Sequence, residues 1–152
     1  MTRRRTRTHV PYSAEAMFDL VADVARYPEF IPHCLALRVI ADESRDGQGV
    51  ITADMLVAYK VFREKFRSRA RLDRAGGLID VDYVNGPFRR LETIWRFEND
   101  ADGSIIDFEI DFEFSNFVMQ ATAAGVFERA FEKMADAFVA RAHDVYGERA
   151  VV

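Results

Sequence analysis

Three histidines, His9, His33 and His143, and one cysteine, Cys34, are the residues of this chain suited to proton transfer near neutrality or to thiolate attack. His33 directly precedes Cys34, so the two form a candidate thiol–imidazole pair. Neighbours on an extended strand point to opposite faces, however, which disfavours a shared proton. The chain has no G-x-S-x-G, and a lone cysteine excludes an internal disulfide framework and every multi-cysteine zinc or iron–sulfur site. Walker A, G-x-G-x-x-G, HExxH and EF-hand patterns are missing as well, leaving nucleotide and metal chemistry without support. The expectation is a protein that is not an enzyme, with no catalytic residue, metal or catalytic cofactor.

The other reactive side chains are carboxylates and guanidiniums, and their spacing is that of strands. Asp107, Glu109, Asp111 and Glu113 alternate with Ile106, Phe108, Ile110, Phe112 and Phe114, giving one wet and one dry face. Lys65, Arg67, Arg69 and Arg71 alternate in the same way with Phe66, Ser68, Ala70 and Leu72. Acids at outward strand positions are solvated, which does not raise a pKa for general acid–base work. Arg3, Arg5 and Arg7 alternate with Arg4, Thr6 and Thr8 on a polar first strand, which an acidic partner strand would satisfy through cross-strand ion pairs.

Length and composition fit one globular domain, 1–152: 152 residues, 49% apolar, 30% charged, net charge −4. The basic start, Met1 to Arg7, has no apolar run behind it, and no stretch of about 18 uncharged apolar residues occurs, so neither a signal peptide nor a membrane span is expected. The cytoplasm is the expected compartment. Seven acids and no base between Glu98 and Glu113 argue against a nucleic-acid surface there, and no DNA partner is expected. Thirteen Phe against one Trp and five Tyr provide wide aromatic surface for a core or for an apolar chamber.

The elements that would position these residues follow from period and punctuation. A strand over residues 2–9 precedes a short helix capped by Ser13, whose apolar face is Met17, Phe18, Leu20, Val21 and Val24. Pro28 and Pro32 end helical structure and hold Tyr27 to Pro32 as an extended loop. From Leu35 to Phe114 a meander of about six strands is marked by Asp46-Gly47-Gln48-Gly49, Gly76-Gly77, Asn85-Gly86-Pro87 and Asp102-Gly103. A final helix, capped by Ser115 or Asn116 and stopped at Gly147, would be a rod of about 43 Å. Its apolar face is Phe127, Phe131, Met134, Phe138, Ala142 and Val145, extended by Met119 and Ala123. This order predicts an α+β helix-grip fold, a curved antiparallel sheet of about seven strands wrapped around the long C-terminal helix, with short helices after the first strand.

Such curvature opens a gap between sheet and helix. Leu91, Thr93, Trp95 and Phe97 share one strand face, and Phe108, Ile110 and Phe112 share another, so both would face Met119, Ala123, Phe127 and Phe131 across it. The same stripe serves core packing or ligand contact equally. Tyr27, Phe30 and Ile31 would form a gate at its mouth, or a plug in the core. A pocket of roughly 300–1,000 Å³ would admit a ring and part of a tail.

Four segments carry a family resemblance: Val24-Ala25-Arg26-Tyr27-Pro28-Glu29-Phe30-Ile31-Pro32-His33-Cys34, Gly86-Pro87-Phe88-Arg89-Arg90-Leu91-Glu92-Thr93-Ile94-Trp95-Arg96-Phe97, Phe112-Glu113-Phe114 and the ending Phe138 to Gly147. Over nearly the whole chain the sequence resembles the coenzyme Q-binding protein family of START-like, polyketide-cyclase-related domains. The resemblance implies a lipophilic chamber holding ubiquinone, with Phe88 among its lining residues, and a quinone chaperone supporting respiration. It implies a cytoplasmic protein in peripheral contact with the inner membrane. His33 departs from the aromatic residue expected after Pro32. The same family includes ribosome-association toxins, which makes the large ribosomal subunit the alternative partner, and its fold also hosts polyketide-cyclase-like enzymes.

Overall fold

The computed structural model describes residues 2–59 and 62–147, so Met1, residues 60–61 and residues 148–152 of the expected domain lie outside the described residues. The chain runs β1 (Thr2–Val10), α1 (Ala14–Ala22), a 3-10 helix (Val24–Glu29), β2 (Cys34–Asp42), β3 (Gln48–Tyr59), β4 (Phe62–Asp73), β5 (Leu78–Asn85), β6 (Phe88–Asp100), β7 (Gly103–Phe114) and α2 (Phe117–Tyr146). The helix-grip order read from the sequence is the observed one. All seven strands form one antiparallel sheet in the order β1-β7-β6-β5-β4-β3-β2. The meander accounts for β2 to β7, and only β1 leaves sequence order, pairing with β7 at the far edge.

Local chemistry fixes the boundaries. Ser13 accepts the Ala16 N–H on its side-chain oxygen at 3.1 Å and starts α1. Asn116 accepts from Val118 and Met119 at 2.7 and 3.3 Å and starts α2, and Gly147, at φ 51°, follows its last residue. Gly103, at φ 151°, lets β1 pass close to the β6–β7 turn: a Cβ there would stand 2.0 Å from the Val10 carbonyl oxygen.

Alternation then sorts the side chains. Trp95, Phe97, Ile106, Phe108, Ile110 and Phe112 are buried on the inner face. Their neighbours on the outer face make the ion-pair ladder expected for β1 and β7: Arg3 reaches Asp111 at 3.3 Å, and Arg5 and Arg7 reach Asp107 at 2.7 and 3.3 Å. On β4, Arg67 pairs with Asp54 at 2.7 Å and Arg71 with Asp82 at 2.5 Å, so the basic stripe also has partners on adjoining strands. Helix α2 packs against β7, β1 and α1. The β3–β5 part of the inner face meets α2 across an open space.

Two local expectations are corrected. Tyr27, Pro28 and Glu29 belong to a 3-10 helix rather than an extended loop. Proline's fixed φ suits that helix, and the Ile31 N–H closes the turn on the Tyr27 carbonyl at 2.8 Å. Val145 is exposed, and Tyr146 packs on the core in its place. The last turn of α2 leans on α1, where the Tyr146 hydroxyl donates to the Ala16 carbonyl at 2.6 Å, and this brings the neighbouring helix face inward.

Candidate ligand cavity

The open space is a cavity of about 150 Å³ between α2 and the inner face of the sheet. This is smaller than the sequence reading expected, because aromatic rings occupy both ends of the gap. At one end Phe88 stacks on Phe114 at 4.7 Å and lies 5.2 Å from Phe127 and 5.7 Å from Phe66. At the other, Phe97 meets Phe18 of α1 edge-on at 5.6 Å. Cavities of about 150 Å³ in protein cores hold a benzene-sized ring, so the remaining space suits a ring rather than a folded chain.

Tyr27, Ile31, Leu91, Trp95, Phe108, Ile110, Phe127 and Phe131 line the cavity as expected from sequence, together with Thr93. Trp95 stacks on Phe108 with ring centroids 3.7 Å apart, and Phe108 lies 4.4 Å from Phe131, which forms a continuous aromatic floor from β6 through β7 to α2. Six expected residues stand outside the lining. Phe88 and Phe112 belong to the ring cluster that closes one end, Phe112 lying 4.6 Å from Phe127. Phe97 caps the other end against α1. Phe30 turns away from the mouth onto Phe138, at 5.3 Å, with the Arg141 guanidinium 4.9 Å over its ring. Ala123 is buried and Met119 half-buried against the core near the start of α2.

The reading from sequence missed the opposite wall. Ile51, Ala53, Met55 and Val57 of β3 face the cavity, as do Val126 and Ala130 of α2. The signal was present, since the β3 residues alternate with Thr52, Asp54 and Leu56 at period two. Which stripe borders open space depends on how far α2 stands from each strand, and periodicity does not carry that distance.

The polar groups in the wall are few. The Tyr27 hydroxyl donates to the Val21 carbonyl at 2.5 Å, and burial pushes its pKa up. Cys34 and His33 both line the cavity, and the alternation expected of them supposes an extended strand at both positions. His33 precedes β2 and adopts a left-handed backbone, φ 67°, so the strand rule does not apply to it. Burial pushes the Cys34 thiol up to about 11, which keeps it protonated and a poor nucleophile at neutral pH. Ser68 and Thr93 contribute hydroxyls from β4 and β6, and Asp82 of β5, paired with Arg71 at 2.5 Å, also lines the cavity. Among the described residues no group of three or more His, Cys, Asp or Glu side chains is placed to hold a metal ion. The arrangement can stack a flat apolar group on Trp95 and Phe108 and offer it a few hydrogen bonds.

A sheet gripping a long C-terminal helix over an apolar cavity defines a START-like helix-grip protein. A solved START superfamily protein from Mycobacterium smegmatis shares this fold with a TM-score of 0.77 at 18% identity, covering 94% of this chain and 98% of its own. Residues 10–139 match the model of the family described as polyketide cyclase / dehydrase and lipid transport, and the chain belongs to that family. It is 34% identical over 139 residues to the ribosome association toxin RatA of Pseudomonas aeruginosa, covering 91% of this chain and 93% of that protein. It is 29% identical over 144 residues to the mitochondrial coenzyme Q-binding protein COQ10 homolog B of Xenopus laevis, covering 92% of this chain and 57% of that protein.

Proposed function

We propose that this protein is a non-enzymatic carrier for an apolar, ring-bearing lipid of the isoprenoid quinone class, with ubiquinone its ligand, and that it delivers the quinone to respiratory electron transport. The observation that carries the reading is the cavity floor of Trp95, Phe108 and Phe131 between the sheet and α2, in a wall whose polar members are Tyr27, Thr93, Ser68, Asp82 and the His33–Cys34 corner. A quinone ring needs a flat apolar slot and a few donors for its oxygens. The volume suits the ring, and the isoprenoid tail extends out of the cavity. The family's lipid-transport description and the resemblance to the coenzyme Q-binding relative support this reading. The test is mass spectrometry of an organic extract of the native protein from a respiring host, with a matched inert protein as control. Stoichiometric ubiquinone is the expected result, and a folded protein free of it overturns the reading.

A second reading, association with the large ribosomal subunit, is favoured by the relative named a ribosome association toxin, which has the higher identity of the two and is matched over 93% of its own length against 57%. It predicts co-sedimentation with large subunits that weakens as salt is raised. Polyketide-cyclase-like catalysis is the weakest of the three. Of the ionisable groups in the wall besides His33, the Cys34 thiol is held protonated, the Tyr27 phenol is hydrogen-bonded to the Val21 carbonyl and the Asp82 carboxylate is paired with Arg71, so none of these three is a poised acid or base.

A further inference from the structure

Phe117 and Val118, the first two residues of α2, are 86% and 64% exposed, the highest values of the large apolar residues among the described residues, with Leu35 next at 53%. Their position is set firmly. The Ser115 backbone N–H and hydroxyl both donate to the Pro87 carbonyl at 3.0 Å, which ties the start of α2 to the β5–β6 turn. The Asn116 cap then aims the first turn. Val84, at the end of β5 beside that turn, is 41% exposed.

The antiparallel register gathers cations at the same end of the sheet. β1 starts there, with Thr2 opposite Phe112, as do β4, with Arg63 opposite Ala58, and β6, with Phe88 opposite Phe114. Arg63 and Arg89 are exposed, and neither has a carboxylate within 4.0 Å among the described residues. Glu64 and Glu113, both half-buried, are the acids on the adjoining strand ends. The ring cluster of Phe88, Phe114 and Phe127 stands between this end and the cavity, whose lining includes His33, Ala58 and Val126, the last about 14 Å along α2 from Phe117.

From this juxtaposition we infer that Phe117, Val118 and Val84, flanked by Arg63 and Arg89, form a docking tip for an anionic bilayer surface. The inference rests on the lipid-carrier reading, to which it adds the place of delivery. An apolar wedge enters the headgroup region while the two guanidiniums meet lipid phosphates. The chain as a whole carries net charge −4 and gains nothing from an anionic membrane, so the attraction has to be local. An RNA surface would use the cations and leave Phe117 and Val118 without a role, which is why the bilayer is the favoured partner.

The test is flotation of the purified full chain with vesicles of phosphatidylcholine alone and of phosphatidylcholine mixed with phosphatidylglycerol. Binding to the mixed vesicles is expected, and Phe117→Ser with Val118→Ser should weaken it by roughly tenfold or more with no change in unfolding midpoint. Both sites are solvent-facing and serine is tolerated in a first helical turn, so the variant keeps its fold. Arg63→Ala with Arg89→Ala should remove the preference for the anionic vesicles. Equal binding by the serine variant and the parent, or no binding by the parent, overturns the inference. Loss of large-subunit co-sedimentation in the serine variant, with no vesicle binding by the parent, would assign the tip to the ribosome and overturns it too. Extractable quinone separates the two claims: quinone present without vesicle binding sinks the docking tip alone, and vesicle binding without quinone sinks the carrier reading alone.

Discussion

Arg5 on β1 grips Asp107 on β7 with both arms of its guanidinium, Nε to Oδ1 and Nη2 to Oδ2, each at 2.7 Å. The residues are offset along the ladder, since Arg5 stands directly opposite Glu109, and the Glu109 carboxylate is 3.9 Å away. Asp107 is itself buried, shielded by Arg5 and Arg7 on an outer sheet face. The edge strand is therefore locked in register by charge as well as by backbone hydrogen bonds.

Arg5→Glu should lower the unfolding midpoint more than Arg5→Ala, and Arg7→Ala should lower it least. The first places a third acid against Asp107 and Glu109, the second leaves Asp107 under-paired, and the third removes a single contact at 3.3 Å. Thermal unfolding of the three variants checks the ranking, and unchanged midpoints would show that the ladder contributes nothing.

The same pair sets an acid dependence. The hydrogen bond from Arg5 holds the Asp107 carboxyl below its usual pKa, against an opposing effect of burial. A lowered folded-state pKa stabilises the fold above the ordinary carboxylate range, roughly pH 4, and that stabilisation is lost as pH falls through the folded value. Arg67 lowers the Asp54 carboxyl in the same way. In denaturant titrations, Asp107→Asn should flatten part of the stability loss that the parent shows as pH falls from about 5 to about 2.

Trp95 is the only tryptophan, is buried, and lines the cavity, so its fluorescence reports directly on occupancy. Titration with a short-chain quinone should quench it to saturation. Trp95→Ala should cost about 3–5 kcal/mol of stability by loss of its contacts with Phe108 and Phe138, and should lower quinone retention. Full retention in a folded variant would remove Trp95 from the site.

Filling the cavity separates ligand binding from folding. Ala130→Leu and Ala53→Ile each project added carbon into the open space from opposite walls, one on a helix and one on a strand. Each keeps the local propensity of its element, so the free energy of unfolding should stay within about 1 kcal/mol of the parent while quinone retention falls. Retention equal to that of the parent would place the ligand elsewhere.

Cys34 offers a chemical readout of the same wall. With its thiol pushed up to about 11, alkylation of the native protein near the ordinary thiol pKa, at about pH 8, should be slow, and unfolding should speed it greatly. The raised pKa favours the fold below the ordinary thiol range, and this contribution is lost as pH rises toward about 11. Rapid native labelling would show that the β2 corner opens readily to solvent.

Much of this protein was determined by its sequence alone. Period-two alternation through Ile106 to Phe114 decides which face of β7 is buried, and the shift to helical spacing after Asn116 decides where α2 begins. The pairing of Arg3, Arg5 and Arg7 with the acids of β7 was likewise legible, because complementary charges at matched spacing suit adjoining strands. These properties depend on neighbours in the chain and on side-chain polarity. Tertiary structure decided the rest. Phe97, Phe112 and Leu91 lie on inward-facing strand positions alike, yet only Leu91 borders open space, since ring-on-ring packing at Phe18 and Phe127 seals the two ends. His33 reaches the cavity through a left-handed backbone, and Tyr146 takes the inward place expected of Val145 through its hydrogen bond to α1. A cavity is the distance that remains after helix and sheet have packed, and that distance is set by contacts between residues far apart in the chain.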